Sequence, residues 1–351
     1  MKKILALVLA LCMVFALCAC GQKAAVPATE TAAEPAAETA AEPAAEPAAE
    51  AIVLKMGDNQ PANSIQGATD DLFAKLVEEK SEGRIKIDLY HDAQLGEEEE
   101  MIQQLQFGSL DLAQISLSPL CEFAPEMDVL QLPYLYDNAD HMWAVLGGEI
   151  GDSYLAAPAA SGITGLAWVD GGARNFYTTE KELTCAADLK GLKLRVQSSQ
   201  LMMDMVSAFD AVPQAMSYGD VYSALQTGVI DGAENNWPSF IDSGHYELCK
   251  YYIVDGHTRV PDLIVASTSC LEALSEEDQA IIRAAAKEAQ EDHRVRWAEE
   301  EAAAEAKALE AGIIVCYPDD ISDFQEAVQS LYTAGSMADY ADAIAAIRAL
   351  A

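Results

Sequence analysis

The sequence contains few positively charged residues for its size. It has 21 lysines and arginines against 57 aspartates and glutamates, which gives a formal net charge of -36 at pH 7. This balance argues against a nucleic-acid-binding protein, because phosphate groups need lysine and arginine to neutralise them. The summed charge also repels small anions. Any anionic ligand must therefore be captured by local cations inside a pocket.

The sequence also lacks the motifs of common metal sites and hydrolase active sites. Its five histidines show no HExxH spacing, and it contains no GxSxG segment. The five cysteines beyond residue 100 are scattered and form no CxxC pair, so neither a disulfide framework nor a zinc site is predicted. We expect no enzyme, no bound metal and no cofactor. A lipid-anchored hydrolase is the alternative, and no motif supports it.

Only the N-terminus carries a long apolar run. Residues 4–17 follow the basic start MKK, and this run is too short and wrongly flanked for a stable membrane span. It leads into LCAC, which resembles a lipobox, where cleavage precedes a lipid-carrying cysteine. We predict a lipoprotein signal peptide at 1–19 and a protein outside the cell membrane, anchored to it through lipid on Cys20. An ordinary secretory signal is the alternative.

Residues 20–51 are rich in alanine, glutamate and proline. The prolines interrupt any helix, and the unopposed negative charges repel one another and extend the chain. This composition predicts a tether between Cys20 and a folded body.

The body from residue 52 alternates strand-like and helix-like patterns, which indicates an α/β fold. Its last long helix is predicted to start at the N-cap Ser275 and to stop near Gly312. Such a helix spans roughly 50 Å, which is longer than one domain of this size needs. We therefore expect it to cross between two lobes.

An arginine lies on a short strand-like run, KGLKLRVQSS. Apolar Leu192, Leu194 and Val196 alternate with polar residues, so a half-buried strand turns Arg195 to its polar face. The pattern alone leaves open a solvated surface charge and a ligand-binding cation. The four glutamates from Glu97 are interpreted as a solvated helix start, favoured by the helix dipole, rather than as an acid cluster.

Several segments together resemble one family: YHDAQLGEEEEMIQQLQFGSLDLAQIS, VLQLPYLYDNADH, GGARN, LKGLKLRVQSS and MSYGDVYSALQTGVIDGAENNWPSF. In order and spacing they are similar to the substrate-binding subunits of TRAP transporters of the DctP type. The resemblance implies a two-lobed periplasmic-binding-protein-like α/β fold of the class II type, with crossing hinge strands and a long helix spanning both lobes. Lobe I would comprise 52–172 and about 261–299, and lobe II 173–260 and about 300–351.

The resemblance also implies a function. The lobes would close over an organic acid and deliver it to the small and large membrane subunits of a permease, and we expect a monomer. A binding protein of an ABC importer and a ligand-sensing domain of a sensor kinase are the alternatives.

The family's ligand contacts map onto particular residues here. Arg195 resembles the arginine that pairs with the ligand carboxylate, since a guanidinium offers a fork of donors that lysine cannot reproduce. Arg174 resembles a second arginine of the pocket, Asn235 a hydrogen-bonding asparagine, and Asn59 a polar contact from the other lobe. The further ligand-binding candidates are Ser116, Ser198, Tyr218, Trp237 and Glu98. A core tyrosine and a structural tryptophan are the alternatives for Tyr218 and Trp237.

These residues narrow the ligand without naming it. Ser116, Gln197 and Ser198 stand where the sialic-acid-binding branch has glutamate, proline and asparagine, which argues against sialic acid. The remaining groups suit a sugar acid such as a hexuronate, with its carboxylate on Arg195. They also suit a C4-dicarboxylate with one carboxylate on each arginine. We favour the sugar acid because neutral polar groups outnumber the cations.

Overall fold

The computed structural model describes residues 51–351, so the predicted signal peptide, Cys20 and nearly all of the tether lie outside the described residues. The strands are β1 (Ile52–Gly57), β2 (Ile85–Tyr90), β3 (Leu112–Ser116), β4 (Ile163–Val169), β5 (Ala173–Thr178), β6 (Lys193–Val196), β7 (Val212–Ala215), β8 (Gly232–Asn235), β9 (Tyr251–Ile253), β10 (Thr258–Arg259), β11 (Asp262–Ser267) and β12 (Ile314–Cys316).

The α-helices are α1 (Ile65–Lys80), α2 (Glu98–Gln106), α3 (Leu117–Cys121), α4 (Ala139–Leu146), α5 (Glu149–Ala156), α6 (Gln200–Ala208), α7 (Val221–Thr227), α8 (Trp237–Asp242), α9 (Thr268–Glu272), α10 (Glu276–Glu310), α11 (Ser322–Ala327) and α12 (Ala341–Arg348). Short 3₁₀ helices lie between several of them. Within residues 51–351, no helix combines the length and the apolar character needed to cross a membrane.

Lobe I is built on a five-stranded sheet with the order β2-β1-β3-β11-β4. Strand β1 is parallel to β2 and β3, whereas β11 is antiparallel to β3 and β4. Strand β3 is buried along its whole length, as expected for a strand covered on both faces. On one face, helices α1 and α10 bury Phe73, Val77 and Ile282 against the sheet.

Lobe II is built on a seven-stranded sheet with the order β12-β9-β5-β8-β6-β7, and β10 pairs with β5. Strand β6 is parallel to β7 and β8, whereas β5 is antiparallel to β8 and β9. A layer of aromatic side chains packs on this sheet and includes Tyr177, Phe240 and Tyr252. The two sheets confirm the predicted two-lobed α/β fold.

Besides helix α10, two short segments carry the chain from one sheet to the other. Residues 170–172 join β4 of lobe I to β5 of lobe II, and residues 260–261 join β10 of lobe II to β11 of lobe I. The crossings touch: a Cβ at Gly171 would lie 2.2 Å from the carbonyl oxygen of Val260. A side chain at Gly171 would therefore push the two crossings apart, so this position needs glycine.

Helix α10 is 35 residues long and packs on both lobes. It begins where the sequence predicts, because the Ser275 hydroxyl accepts a hydrogen bond from the Asp278 backbone N–H at 3.1 Å. Its first half, with Ile282 and Ala289, packs in the core of lobe I, and Ala304 and Ala308 pack in the aromatic core of lobe II.

The C-terminal segment does not belong to lobe II alone, which corrects the predicted boundary there. The backbone carbonyl of Ile347 lies 2.8 Å from Nε2 of His141 in lobe I, while the Asp323 carboxylate accepts from the Ala186 N–H of lobe II at 2.7 Å. Apolar side chains of α11 and α12 join a core that includes residues of both lobes. The other lobe boundaries stay a prediction.

Candidate ligand-binding site

A cleft between the two sheets comprises two adjoining pockets, with about 360 and 230 Å³ of empty space open to solvent, and both are lined by Arg195. Its walls are formed where strands end: Ser116 ends β3, Asn235 ends β8 and Asn59 follows β1. In open α/β sheets, ligands bind beyond the carboxyl ends of strands, so this cleft is the expected place for a ligand. The described residues that line it are Asn59, Gln60, Gln66, Glu97, Glu98, Glu99, Ser116, Pro119, Gly171, Arg174, Arg195, Gln197, Ser198, Met216, Ser217, Tyr218, Asn235, Asn236, Ser239, Val260 and Asp262.

Arg195 projects from β6 into this cleft and is 3% exposed. Its Nε and Nη2 donate to the Met216 carbonyl at 3.0 and 2.8 Å, which holds the plane of the guanidinium. An arginine has five N–H groups, and the other three donate to no residue of the described chain. Burial lowers the pKa of Arg195 below its ordinary value, with nearby Arg174 adding to the decrease. An anionic ligand is therefore strongly favoured beside it.

Arg174 lies on β5 and is nearly saturated by protein partners. It donates to both carboxylate oxygens of Glu234, at 2.5 and 2.8 Å, and to the Glu234 carbonyl at 2.9 Å. A fourth hydrogen bond, of 2.9 Å, goes to Oδ1 of Asn235. Although burial alone would raise the pKa of Glu234, Arg174 and His257 hold this pKa at about 2. Arg174 lines the cleft, but one N–H at most remains for a ligand.

Asn235 is oriented by the same network. Its Oδ1 accepts from Arg174 and from the Asn236 backbone N–H, both at 2.9 Å. Because the carbonyl end of the amide is occupied, the NH₂ end is the group left for a ligand. The structure thus places Arg174 where it orients Asn235.

The cleft wall formed by lobe I is lined by carboxyl and amide side chains. Asn59 and Ser116 lie in this wall, together with Gln66 and Asp262. Oε1 of Glu98 accepts from the Ser116 backbone N–H at 2.7 Å, which turns this carboxyl toward the wall.

Two carboxyls of this wall have unusual acidity. Burial, together with the nearby Asp262, raises the pKa of Glu98 to about 7. Burial likewise raises the pKa of Asp262 to about 7, although a hydrogen bond from Ser116 and the charge of Arg174 oppose this. A neutral carboxyl can donate a hydrogen bond, so both groups can serve either as donor or as acceptor to a ligand near neutral pH.

Tyr218 and Ser198 line the cleft together with Glu97 and Glu98. The Tyr218 hydroxyl donates to the Ser239 carbonyl at 3.3 Å, and burial raises its pKa to about 12. Tyr218 is therefore a neutral donor held against the wall, with its ring available to pack on a ligand.

Trp237 does not line the cleft, so the prediction that it forms a wall of the pocket is wrong. It is 4% exposed and stacks on Tyr252 with ring centroids 3.7 Å apart. The proline that follows it fixes the first turn of α8, and this turn directs the indole into the core of lobe II. The structural alternative stated for this residue is the one found.

The sequence did not single out Asp262, Gln66, Asn236 or Ser239, which all line the cleft. Asp262 was visible only as the first residue of a strand after VP, a place where acidic residues are common in so acidic a chain. The pairing of β3 with β11 sets Asp262 opposite Ser116, and no local pattern predicts that register.

The fold and the cleft together define a class of protein: a two-lobed solute-binding protein whose arginine faces an interlobe cleft. Residues 56–337 match the family described as bacterial extracellular solute-binding protein, family 7, or DctP. The chain belongs to this family and is a TRAP-type solute-binding protein. A solute-binding protein from Chromohalobacter salexigens is 38% identical over 272 residues, which cover 78% of this chain and 81% of the relative.

Solved structures resemble the chain over most of its length. A TRAP periplasmic solute-binding protein from Bradyrhizobium, in complex with α/β-D-galacturonate, has a TM-score of 0.80 and 37% identity, covering 84% of this chain and 98% of that one. Another, from Chromohalobacter salexigens with bound D-glucuronate, has a TM-score of 0.80 and 35% identity, covering 84% and 98%. These likenesses agree with the predicted family and fold.

Proposed function

We propose that the protein binds a hexuronate in the interlobe cleft and delivers it to a TRAP permease. The observation that carries this proposal is Arg195, a buried guanidinium with three N–H groups left over, in a cleft otherwise lined by neutral and acidic hydrogen-bonding groups. A guanidinium binds a carboxylate through two parallel hydrogen bonds. Amides, hydroxyls and protonatable carboxyls suit the several hydroxyls of a sugar.

The state of Arg174 argues against a C4-dicarboxylate. Such a ligand needs a second cation for its second carboxylate, and Arg174 already makes four hydrogen bonds to Glu234 and Asn235. A second carboxylate would also lie near the acidic wall of Glu98 and Asp262. The relatives whose structures hold galacturonate and glucuronate support the sugar acid.

Calorimetric titration with D-glucuronate, D-galacturonate and a C4-dicarboxylate tests the proposal. We expect saturable binding of a hexuronate and none of the dicarboxylate at similar concentrations. Arg195→Ala should weaken hexuronate binding by about 3–5 kcal/mol, a loss of a few hundredfold to a few thousandfold.

Lys193→Ala is the matched control, because it removes an exposed cation from the same strand. Its affinity should match wild type. If Arg195→Ala bound within threefold of wild type, the carboxylate would be held elsewhere. If the dicarboxylate bound tightly, it would be the ligand instead of the hexuronate.

We further propose that the mature protein is a monomer without catalytic activity, held at the outer face of the cell membrane by lipid on Cys20. The basis for the lipid anchor is the LCAC segment after the apolar run and the Ala/Glu/Pro-rich segment beyond it. Cys20→Ala should release the chain from membranes or block its processing. A membrane fraction equal to that of wild type would contradict lipid anchoring without affecting the ligand assignment.

A further inference from the structure

Three side chains that could bind a metal ion converge behind the lobe I wall of the cleft. Asp58 directly follows β1, Asp70 lies on α1 and His91 directly follows β2. One ligand atom from each lies within 4.8 Å of the other two. Parallel strands β1 and β2 end at the same edge of the sheet, and this brings Asp58 and His91 together.

Asp70 is the least explained polar side chain of the lobe. It is 0% exposed, and neither of its carboxylate oxygens has a hydrogen-bond partner among the described residues. Asp58, itself 2% exposed, does have partners: its Oδ1 accepts from the Gln60 N–H at 2.8 Å and its Oδ2 lies 2.5 Å from Nδ1 of His91. Two buried carboxylates this close repel each other, and His91 partners only Asp58, so the pair must either share a proton or bind a cation.

We propose that Asp58, Asp70 and His91 bind a divalent transition-metal ion, Zn²⁺ or Mn²⁺. An imidazole nitrogen with carboxylate oxygens suits these ions, whereas Ca²⁺ and Mg²⁺ prefer oxygen ligands alone. Ligand atoms about 2.1 Å from a metal lie roughly 3 Å or more apart. The contact of 2.5 Å between His91 and Asp58 must therefore lengthen by about half an ångström when the ion binds.

A third carboxylate lies at the solvent side of this cluster. Oδ1 of Asp71 is 3.6 Å from Nε2 of His91, and the Asp71 side chain is 62% exposed. Asp71 therefore places a solvent-exposed carboxylate beside the His91 edge of the cluster. The sequence predicted no metal because it contains no short metal-binding motif. Such motifs cannot detect this cluster, because its ligands lie 12 and 21 residues apart (70 − 58 and 91 − 70).

The ion would stabilise the lobe I wall without touching the ligand. Asn59 and Gln60 follow Asp58 directly and line the cleft. The Gln60 N–H donates to Asp58, and the Gln60 amide donates to Asn59 at 2.9 Å. Fixing the Asp58 carboxylate therefore fixes the turn that presents both side chains.

Metal analysis of the full, untagged chain tests the site. After chelation and reloading with Zn²⁺, Mn²⁺, Ca²⁺ or Mg²⁺, mass spectrometry should find one equivalent of Zn²⁺ or Mn²⁺ after dialysis. The unfolding midpoint should rise by about 3–6 °C at a hundredfold excess over the dissociation constant. Asp70→Asn should abolish both effects. Asp88→Asn, an exposed change on β2, should leave both at the wild-type level.

His91→Gln is the second variant, in case Asp70→Asn fails to fold, and it should lose the Zn²⁺ or Mn²⁺ equivalent. Wild-type chain that retains no metal and shows no shift would overturn the proposal, since the aspartates would then share a proton instead. Equal metal retention in either variant would also overturn it, because the ion would lie elsewhere. Neither readout uses the organic acid, so the outcome is independent of the proposed ligand.

Discussion

The two walls of the cleft differ in charge. The lobe II wall contributes Arg195 and Arg174, whereas the lobe I wall contributes Glu98, Asp262 and the amide of Asn59. A carboxylate ligand is attracted by the first wall and, when the acids are ionised, repelled by the second. We infer that lobe II captures the carboxylate first, and that lobe I then closes on the neutral hydroxyls.

The two arginines of lobe II differ in a second way. Arg174 makes four hydrogen bonds to Glu234 and Asn235, while Arg195 makes two, both to one backbone carbonyl. Equal residue type therefore does not mean equal function. One arginine neutralises a buried glutamate, and the other keeps the three N–H groups that we propose bind the ligand.

The largest effect should come from Arg174→Ala, and it should appear in stability. Removing this guanidinium leaves Glu234, which is 0% exposed, without its main partner. We expect a loss of about 3–5 kcal/mol in unfolding free energy, measured by denaturant titration of the unliganded chain. Unchanged stability with lost affinity would show instead that Arg174 is a ligand residue, and the contrast between the arginines would fail.

Arg195→Lys should give the next largest effect, this time in affinity. Lysine keeps the charge but loses the fork of donors, so about one strong hydrogen bond is lost. We expect binding weaker by about 1.5–3 kcal/mol in calorimetric titration, which lies between wild type and Arg195→Ala. A lysine variant as weak as alanine would mean that geometry, rather than charge, supplies nearly all of the binding energy.

Glu98→Gln should reduce the pH dependence of ligand binding. The pKa of Glu98 lies at about 7, so it is largely neutral at pH 6 and ionised at pH 8, beside Arg195, Asp262 and Glu97. Wild-type affinity for a carboxylate should fall about tenfold between these pH values, and the variant should flatten the curve. The remaining slope would report Asp262. If the affinity of the wild-type protein did not change between pH 6 and pH 8, neither acid would face the ligand.

Unfolding of the unliganded protein tests whether the pKa of Glu98 is raised in the folded state. The folded-state pKa of Glu98, about 7, lies above its ordinary value of 4.5. Between these values the folded chain binds more protons than the unfolded one, so this group lowers the unfolding free energy as pH rises. In denaturant titrations, the unfolding free energy of wild type should therefore fall more steeply with pH than that of Glu98→Gln between about pH 4.5 and 7.

The smallest effect should come from Ser198→Ala. Its hydroxyl lines the cleft, and one neutral hydrogen bond to a ligand contributes about 0.5–1.5 kcal/mol. Ser207→Ala, on the exposed side of α6, is the control. If Ser198→Ala weakened ligand binding more than Arg195→Lys did in calorimetry, the ligand would lie closer to Ser198 than we propose.

Local patterns predicted much of the fold. The alternation around Arg195 predicted a strand, and Ser275 predicted the start of α10, because hydrogen bonds and side-chain periodicity within a few residues determine both. The segments that resemble the TRAP family identified Arg195 and Asn59 as residues of one cleft. Those inferences needed no knowledge of distant pairing.

Features set by long-range pairing could not be predicted. Asp262 enters the cleft through the register of β11 against β3, and Asp70 meets Asp58 only when α1 packs across the sheet. Trp237 resembled a pocket residue because it adjoins Asn235 and Asn236, but the direction of one helical turn sends it into the core. In so acidic a chain, composition does not distinguish a functional carboxylate from a surface one.

Helix α10 limits how the lobes can move. It contains neither proline nor glycine from Glu276 to Glu310, so it has none of the usual points at which a helix kinks. We therefore expect α10 to resist bending between the lobes, so that lobe movement centres on the two touching strand crossings at Gly171 and Val260. A ligand held by one wall of the cleft would then meet the other wall in nearly the same orientation at each closure.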